Sequence, residues 1–179
     1  EEVRAASLDF KIKRFSITGG DPLHPKNAPA VLGLIKKLRE LFGAQAYINI
    51  EAAGTRIVDE IFDLVDYVSF DFKTPSTRVR VPVENVLRMA RQYKGRFQVK
   101  AVVESAVDFR ACEEARLHIQ AQLGGIDFPW CLTPAYNNSE EFPLKRFQDV
   151  LDWNQGVGGP FRVIGQQHKW VFGPDVKQV

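Results

Sequence analysis

Two hydrophobic periods take turns along this chain. Short apolar or β-branched runs occur at 13–18, 46–51, 67–73, 97–103, 130–135 and 161–168, with the length and composition of strands. Between them, apolar residues return at helical spacing. Val31, Leu34, Ile35, Leu38, Leu41 and Phe42 share one face, and Gly43 closes that stretch. Val83, Val86, Leu87 and Ala90 follow Pro82, and Cys112, Ala115, Ile119 and Leu123 run up to Gly124-Gly125. Leu144, Phe147, Val150 and Leu151 follow Pro143, a residue suited to a first helical turn. A further helix is predicted over 57–64. Six strands alternating with five helices predict an α/β fold of βαβ units on a parallel sheet.

The strands themselves alternate. Ile48 and Ile50 oppose Asn49 and Glu51; Val68, Phe70 and Phe72 oppose Ser69, Asp71 and Lys73; Phe97 and Val99 oppose Gln98 and Lys100. The last predicted strand puts Gln166 and His168 on one side. A parallel sheet covered on both faces reads as continuous apolar runs. Here one face turns polar, mostly toward the C-terminal strand ends. A partial parallel βα barrel holding a polar ligand at its C-terminal mouth explains this. A sheet with one wet face gives the same alternation.

The 179 residues fit one domain (1–179) with a core that needs no disulfides. With 24 basic and 22 acidic residues, the balance argues against a direct nucleic-acid partner. No run approaches the ~20 apolar residues of a membrane span. The opening Glu1-Glu2-Val3-Arg4 lacks the pattern of a secretory signal, so a cytoplasmic location is expected and Asn137-Asn138-Ser139 is read as a chance sequon. Residues 3–6 read as the end of a helix. Only two cysteines occur, Cys112 and Cys131, too few for a disulfide framework or a Cys-rich metal site.

The chemistry gathers at the strand ends. The first strand finishes in Thr18-Gly19-Gly20-Asp21-Pro22, where glycines let backbone N–H and C=O groups approach a ligand. An ordinary turn has the same composition. Then come Glu51-Ala52-Ala53-Gly54-Thr55, Asp71-Phe72-Lys73-Thr74-Pro75-Ser76 and Gln166-Gln167-His168-Lys169. In this order, from Phe15 to Pro174, they resemble the radical S-adenosylmethionine enzymes and, within them, the 7-carboxy-7-deazaguanine synthases.

The resemblance implies a radical S-adenosylmethionine-type partial barrel and assigns positions. Gly19, Gly20, Asp21, Glu51, Asp71, Phe72 and Lys73 would contact S-adenosylmethionine. Thr18, Thr133, Pro134, His168 and Pro174 would face the substrate. Asp21 stands where Glu is commoner. Read without the resemblance, Lys73 is an exposed strand-end cation, Thr74-Pro75-Ser76 a plain turn and His168 a hydrogen-bonded structural histidine. Lys100 faces the lumen or reaches an edge. Trp130, Tyr136 and Trp170 read as packing residues, and Cys112 and Cys131 as small buried ones.

The implied activity is conversion of 6-carboxy-5,6,7,8-tetrahydropterin to 7-carboxy-7-deazaguanine, a 7-deazapurine precursor, with loss of ammonia. Cleavage of S-adenosylmethionine to a deoxyadenosyl radical, a [4Fe–4S] cluster and Mg²⁺ come with that resemblance. The cluster takes three thiolates from a C-x3-C-x2-C loop, and this chain has no such loop. The expectation is an N-terminally truncated barrel whose cluster-binding segment lies upstream of Glu1 and which is inactive alone. No catalytic residue or metal ligand is assigned within it. A glycyl-radical activase and a cluster-less barrel binding a small polar ligand are the alternative readings. With the first strand removed, 13–18 would stand as an open edge prone to pairing, which is the basis for expecting a homodimer.

Overall fold

The computed structural model describes residues 1–176. Its elements are α1 (Glu2–Ala6), β1 (Arg14–Ile17), α2 (Ala28–Phe42), β2 (Tyr47–Ala52), α3 (Asp59–Phe62), β3 (Tyr67–Asp71), α4 (Val83–Gln92), β4 (Phe97–Val103), α5 (Ala106–Leu123), β5 (Trp130–Pro134), α6 (Leu144–Gly156), β6 (Arg162–Val163) and α7 (Gln167–Phe172), with 3-10 turns at Gly43–Gln45 and Pro75–Thr77. The strands lie in one sheet in chain order, β1 to β6. Pairs β1–β2, β2–β3, β4–β5 and β5–β6 run parallel. A doubly wound sheet reverses its order at a switch point. This one does not, and with right-handed crossovers that is the winding of a βα barrel. It leaves β1 at one end of the strand order.

The chain divides into two compact units. The first comprises Glu1–Asp71 and Glu84–Phe97. Here α2 covers the apolar face of the strands: Ile35, Leu38 and Phe42 are buried, and the Phe42 ring meets Phe15 at 5.1 Å between centroids. Ile48, Ile50, Val68 and Phe70 lie on that face with at most 1% of their surface exposed. Arg39 ties the far end of the layer together. Its guanidinium donates to the carbonyls of Ala46 and Leu64 and to Asp66 Oδ2, which also accepts from Ile48 N–H. On α4, Val86, Leu87, Met89 and Ala90 are buried.

The predicted helix over 57–64 contracts to the single turn of α3. Ile61 and Phe62 are buried, the Phe62 ring meets Tyr93 edge-on, and Asp59 accepts from Tyr93 Oη at 2.6 Å and Arg88 Nη2 at 2.5 Å. Tertiary contacts hold this turn where length could not. That carboxyl sits below its ordinary range, mainly through the Tyr93 hydrogen bond.

The second unit comprises Phe72–Val83 and Gln98–Val179. Its apolar face is aromatic: Trp130 packs against Phe72, Phe128 and Phe161, and Phe161 against Phe109 of α5. Helix α5 starts in a capping box between Ser105 and Asp108 and ends at Gly124, whose φ of +73° suits glycine. Asn154 of α6 brackets the backbone of Phe161, donating to its carbonyl and accepting from its N–H.

One sequence expectation fails here. The strand predicted over 161–168 is only Arg162–Val163, and Gln166 and His168 do not share a strand face. The chain turns at Gly165 into α7, because the Trp170 indole packs against that glycine. A Cβ there would lie 1.9 Å from Trp170 Cζ2.

Candidate functional site

In the first unit, the face opposite α2 carries a hydrogen-bonded polar row. Asn49 Nδ2 donates to Ser16 Oγ at 2.8 Å, and Ser69 Oγ donates to Asn49 Oδ1 at 3.3 Å, joining β1, β2 and β3. Two residues further on come Glu51 and Asp71, on the same face of β2 and β3, and Thr18, just past the end of β1. Thr18, Gly19 and Gly20 are exposed; Glu51 and Asp71 are half-buried. Gly19 and Gly20 have φ of +98° and +61°, angles that favour glycine, and a Cβ on Gly19 would meet nothing within 4 Å. The strand end thus presents bare backbone beside two carboxylates.

Asp21 serves the turn. Its Oδ1 accepts from Leu23 N–H at 3.1 Å, and its carbonyl accepts from His24 N–H and from Asn27 Nδ2. The shorter carboxylate therefore does its work locally, as an Asx-type turn. Asn27 lies at the start of α2, and sequence reasoning gave it no role.

In the second unit, β4 and β5 bear the corresponding face. Lys100 pairs in register with Cys131, and Val102 with Thr133. Thr133 is buried on that face; Pro134, next along the strand, points the other way with Trp130 and Leu132. Phe72 likewise belongs to the apolar face. It is buried edge-on to Trp130, and its N–H donates to the Lys100 carbonyl at 2.7 Å, extending the ladder beyond β3. Lys73, the next residue, is half-buried. After it, Thr74 Oγ1 donates to the Val102 carbonyl at 2.8 Å, and Ser76 is held by Asp108 through its N–H at 2.9 Å and its Oγ at 2.6 Å. The Thr-Pro-Ser turn is therefore fastened at two points.

The C-terminal segment returns to the exit of β5. Lys169 Nζ donates to the Tyr136 carbonyl, and Asp175 Oδ1 accepts from Ser139 N–H at 2.9 Å. Arg146 closes the same loop from α6, donating to the Ala135 carbonyl and, with both terminal nitrogens, to the Glu140 carboxylate. That guanidinium, with the Asn137 N–H, holds the Glu140 carboxyl below its usual range. Lys169 and Asp175 thus reach the loop that follows Thr133; His168 beside the one is exposed and Pro174 beside the other half-buried.

Cys112 is fully buried in α5 and Cys131 nearly so in β5, and burial pushes both thiols up. Two protonated, separated thiols cannot supply three thiolates. Among the described residues no three His, Cys, Asp or Glu side chains converge on a metal position. Nor is any helix among them long and apolar enough to cross a membrane.

No family model matches the sequence. Over 80 residues the chain is 40% identical to the anaerobic ribonucleoside-triphosphate reductase-activating protein of Escherichia coli (strain K12), a match covering 38% of this chain and 51% of that protein. The protein of the same name from Salmonella typhimurium is 34% identical over 76 residues, covering 37% and 49%. The chain spans about half the length of the curated relatives it matches. The crystal structure of Streptococcus suis SuiB bound to S-adenosylmethionine superposes on 99% of this chain and 44% of its own, with a TM-score of 0.55 and 11% identity. The fold is a partial radical S-adenosylmethionine barrel.

In a barrel of this type the C-terminal strand ends form the functional mouth. Strand alternation placed Glu51 and Asp71 opposite the apolar residues of β2 and β3, and they lie there. Three features of the strand ends went unread: the Asn27 contact to the glycine turn, the Arg146 closure and the Asp108 anchor. Only the last had a local signal, since Ser105-x-x-Asp108 is a capping box.

Proposed function

We propose that this chain forms the cofactor- and substrate-binding part of a radical S-adenosylmethionine enzyme whose substrate is 6-carboxy-5,6,7,8-tetrahydropterin and whose product is 7-carboxy-7-deazaguanine. The return of the Gln166–Lys169 and Pro174 segment to the exit of β5 carries this reading. Contacts of the neighbouring Lys169 and Asp175 with the loop after Thr133 support a small heterocycle held there by His168 and Pro174.

The residues fit the cofactor's chemistry. A methionyl ammonium takes backbone carbonyls of the Gly19-Gly20 turn as acceptors, and Glu51 and Asp71 offer carboxylates to the ammonium or to ribose hydroxyls. Lys73 answers the methionyl carboxylate. Bound S-adenosylmethionine supplies hydrogen-abstracting radical chemistry; the protein's share is orientation and exclusion of water. Thr133 and His168 hold the pterin by hydrogen bonds at its polar edge. A small-molecule partner and a cytoplasmic setting follow from this reading, and a homodimer through the β1 edge is part of the proposal.

The named relatives favour a second reading, in which the radical is delivered to a partner protein as a reductase-activating protein would do. One anaerobic experiment separates them, using the whole protein with S-adenosylmethionine and reductant. With the carboxy-tetrahydropterin present, mass spectrometry is expected to find 7-carboxy-7-deazaguanine. Cofactor cleavage with the pterin unchanged would overturn the pterin assignment and leave the activase reading standing.

A further inference from the structure

Asp108 lies outside every contact proposed above, yet its side chain accepts five hydrogen bonds. Its carboxylate is fully buried. Oδ1 accepts from Ser76 N–H at 2.9 Å; Oδ2 accepts from Ser76 Oγ at 2.6 Å, Glu104 N–H at 2.9 Å, Ser105 N–H at 3.1 Å and Ser105 Oγ at 3.4 Å. A helix cap needs only the contacts to 104 and 105. Both Ser76 contacts are extra to capping. They join the start of α5 to the turn that follows Lys73.

The backbone is fixed on both sides of Lys73. Before it, Phe72 N–H is bonded to β4 and the Phe72 ring to Trp130. After it, Thr74 Oγ1 is bonded to the Val102 carbonyl, and the Pro75–Thr77 turn hangs on Asp108. Thr77 adds closure within the turn, its N–H and Oγ1 both donating to the Thr74 carbonyl. A lysine on a flexible stem gains ligand affinity when its backbone is already placed, because less freedom is lost on binding.

We infer that Asp108 is a positioning residue for the cofactor contact of Lys73, acting through Ser76 and touching no ligand itself. The inference rests on the reading of Lys73 as an S-adenosylmethionine contact.

Each serine isolates one half of the arrangement. Ser76→Ala removes one link to the Lys73 turn and keeps the cap; Ser105→Ala weakens the cap and keeps both Ser76 links. In the whole protein, S-adenosylmethionine affinity is read by equilibrium dialysis and stability by thermal unfolding. Ser76→Ala is expected to raise Kd about tenfold, the equivalent of one charge-assisted hydrogen bond, and to lower Tm as well, because the buried Asp108 carboxylate loses a donor. Ser105→Ala is expected to lower Tm and leave Kd alone. In a Lys73→Ala background, Ser76→Ala should have no further effect on Kd.

Equal Kd changes in the two serine variants, or an undiminished Ser76→Ala effect without Lys73, would overturn the positioning role. Wild-type affinity unchanged by Lys73→Ala would instead sink the Lys73 reading, and the inference with it.

Discussion

A side chain at position 165 would have to share space with an indole. Gly165 is glycine for that reason and not for its backbone angles, since a Cβ would stand 1.9 Å from Trp170 Cζ2. Gly165→Ala is therefore expected to destabilise by about 1–3 kcal/mol, toward the low end because Trp170 is half exposed and can swing outward. Urea unfolding checks this, and the cost should largely vanish in a Trp170→Ala background. Nothing near Gly165 in the sequence announces the constraint, because Trp170 comes back to it through the first turn of α7. The same holds for Arg146 and Glu140, six positions apart and joined around a loop. By contrast Glu51 and Asp71 were legible one by one, since strand alternation alone settles which way they face.

Asp108 belongs to the scale of elements, because it joins two of them. Burial pushes its carboxyl up, but the hydrogen bonds from Ser76, Glu104 and Ser105 outweigh this and hold it below the ordinary range. A carboxyl depressed in the native state stabilises fully above its unfolded value of about 3.9 and loses that contribution as pH falls through the native value. Wild type and Asp108→Asn should therefore differ most in urea midpoint near neutrality, with the gap closing below about pH 4. A gap that stayed constant with pH would count against the linkage. Asn154 is a second junction, between α6 and the entry to β6. Asn154→Ala leaves the Phe161 N–H and C=O without their bracket, so a loss of about 2–3 kcal/mol is expected in chemical denaturation. Elements with long periodic patterns, such as α2 and β4, were plain in the sequence. Those that came out shorter than predicted, α3 and β6, are set by side-chain partners outside the element: Arg88 and Tyr93 for one, Trp170 for the other.

At the scale of the molecule, the strand order decides between two α/β architectures that the alternating sequence pattern left together. Consecutive order without reversal is the barrel's winding, and no single residue encodes it. Both cysteines fall in the second unit and are buried there. Labelling of native protein at pH 8 by a thiol reagent should accordingly wait for that unit to open, with Cys112 and Cys131 modified at one common rate that rises with urea. Two distinct rates, measured by mass spectrometry, would mean that α5 and β5 open separately.

Two of this chain's three tryptophans, Trp130 and Trp170, stand in unlike surroundings. Trp130 is walled in by Phe72, Phe128 and Phe161, and its Nε1 is buried with no hydrogen-bond partner among the described residues. An indole without water or an acceptor emits at the blue end of its range, while Trp170, half exposed on α7, emits toward the red. The two colours report on different places. The blue one watches the residue next to Lys73, and the red one watches the helix that carries His168. Titrations with S-adenosylmethionine and with a pterin should then disturb different parts of one emission spectrum, so the protein carries its own label for telling the two ligands apart.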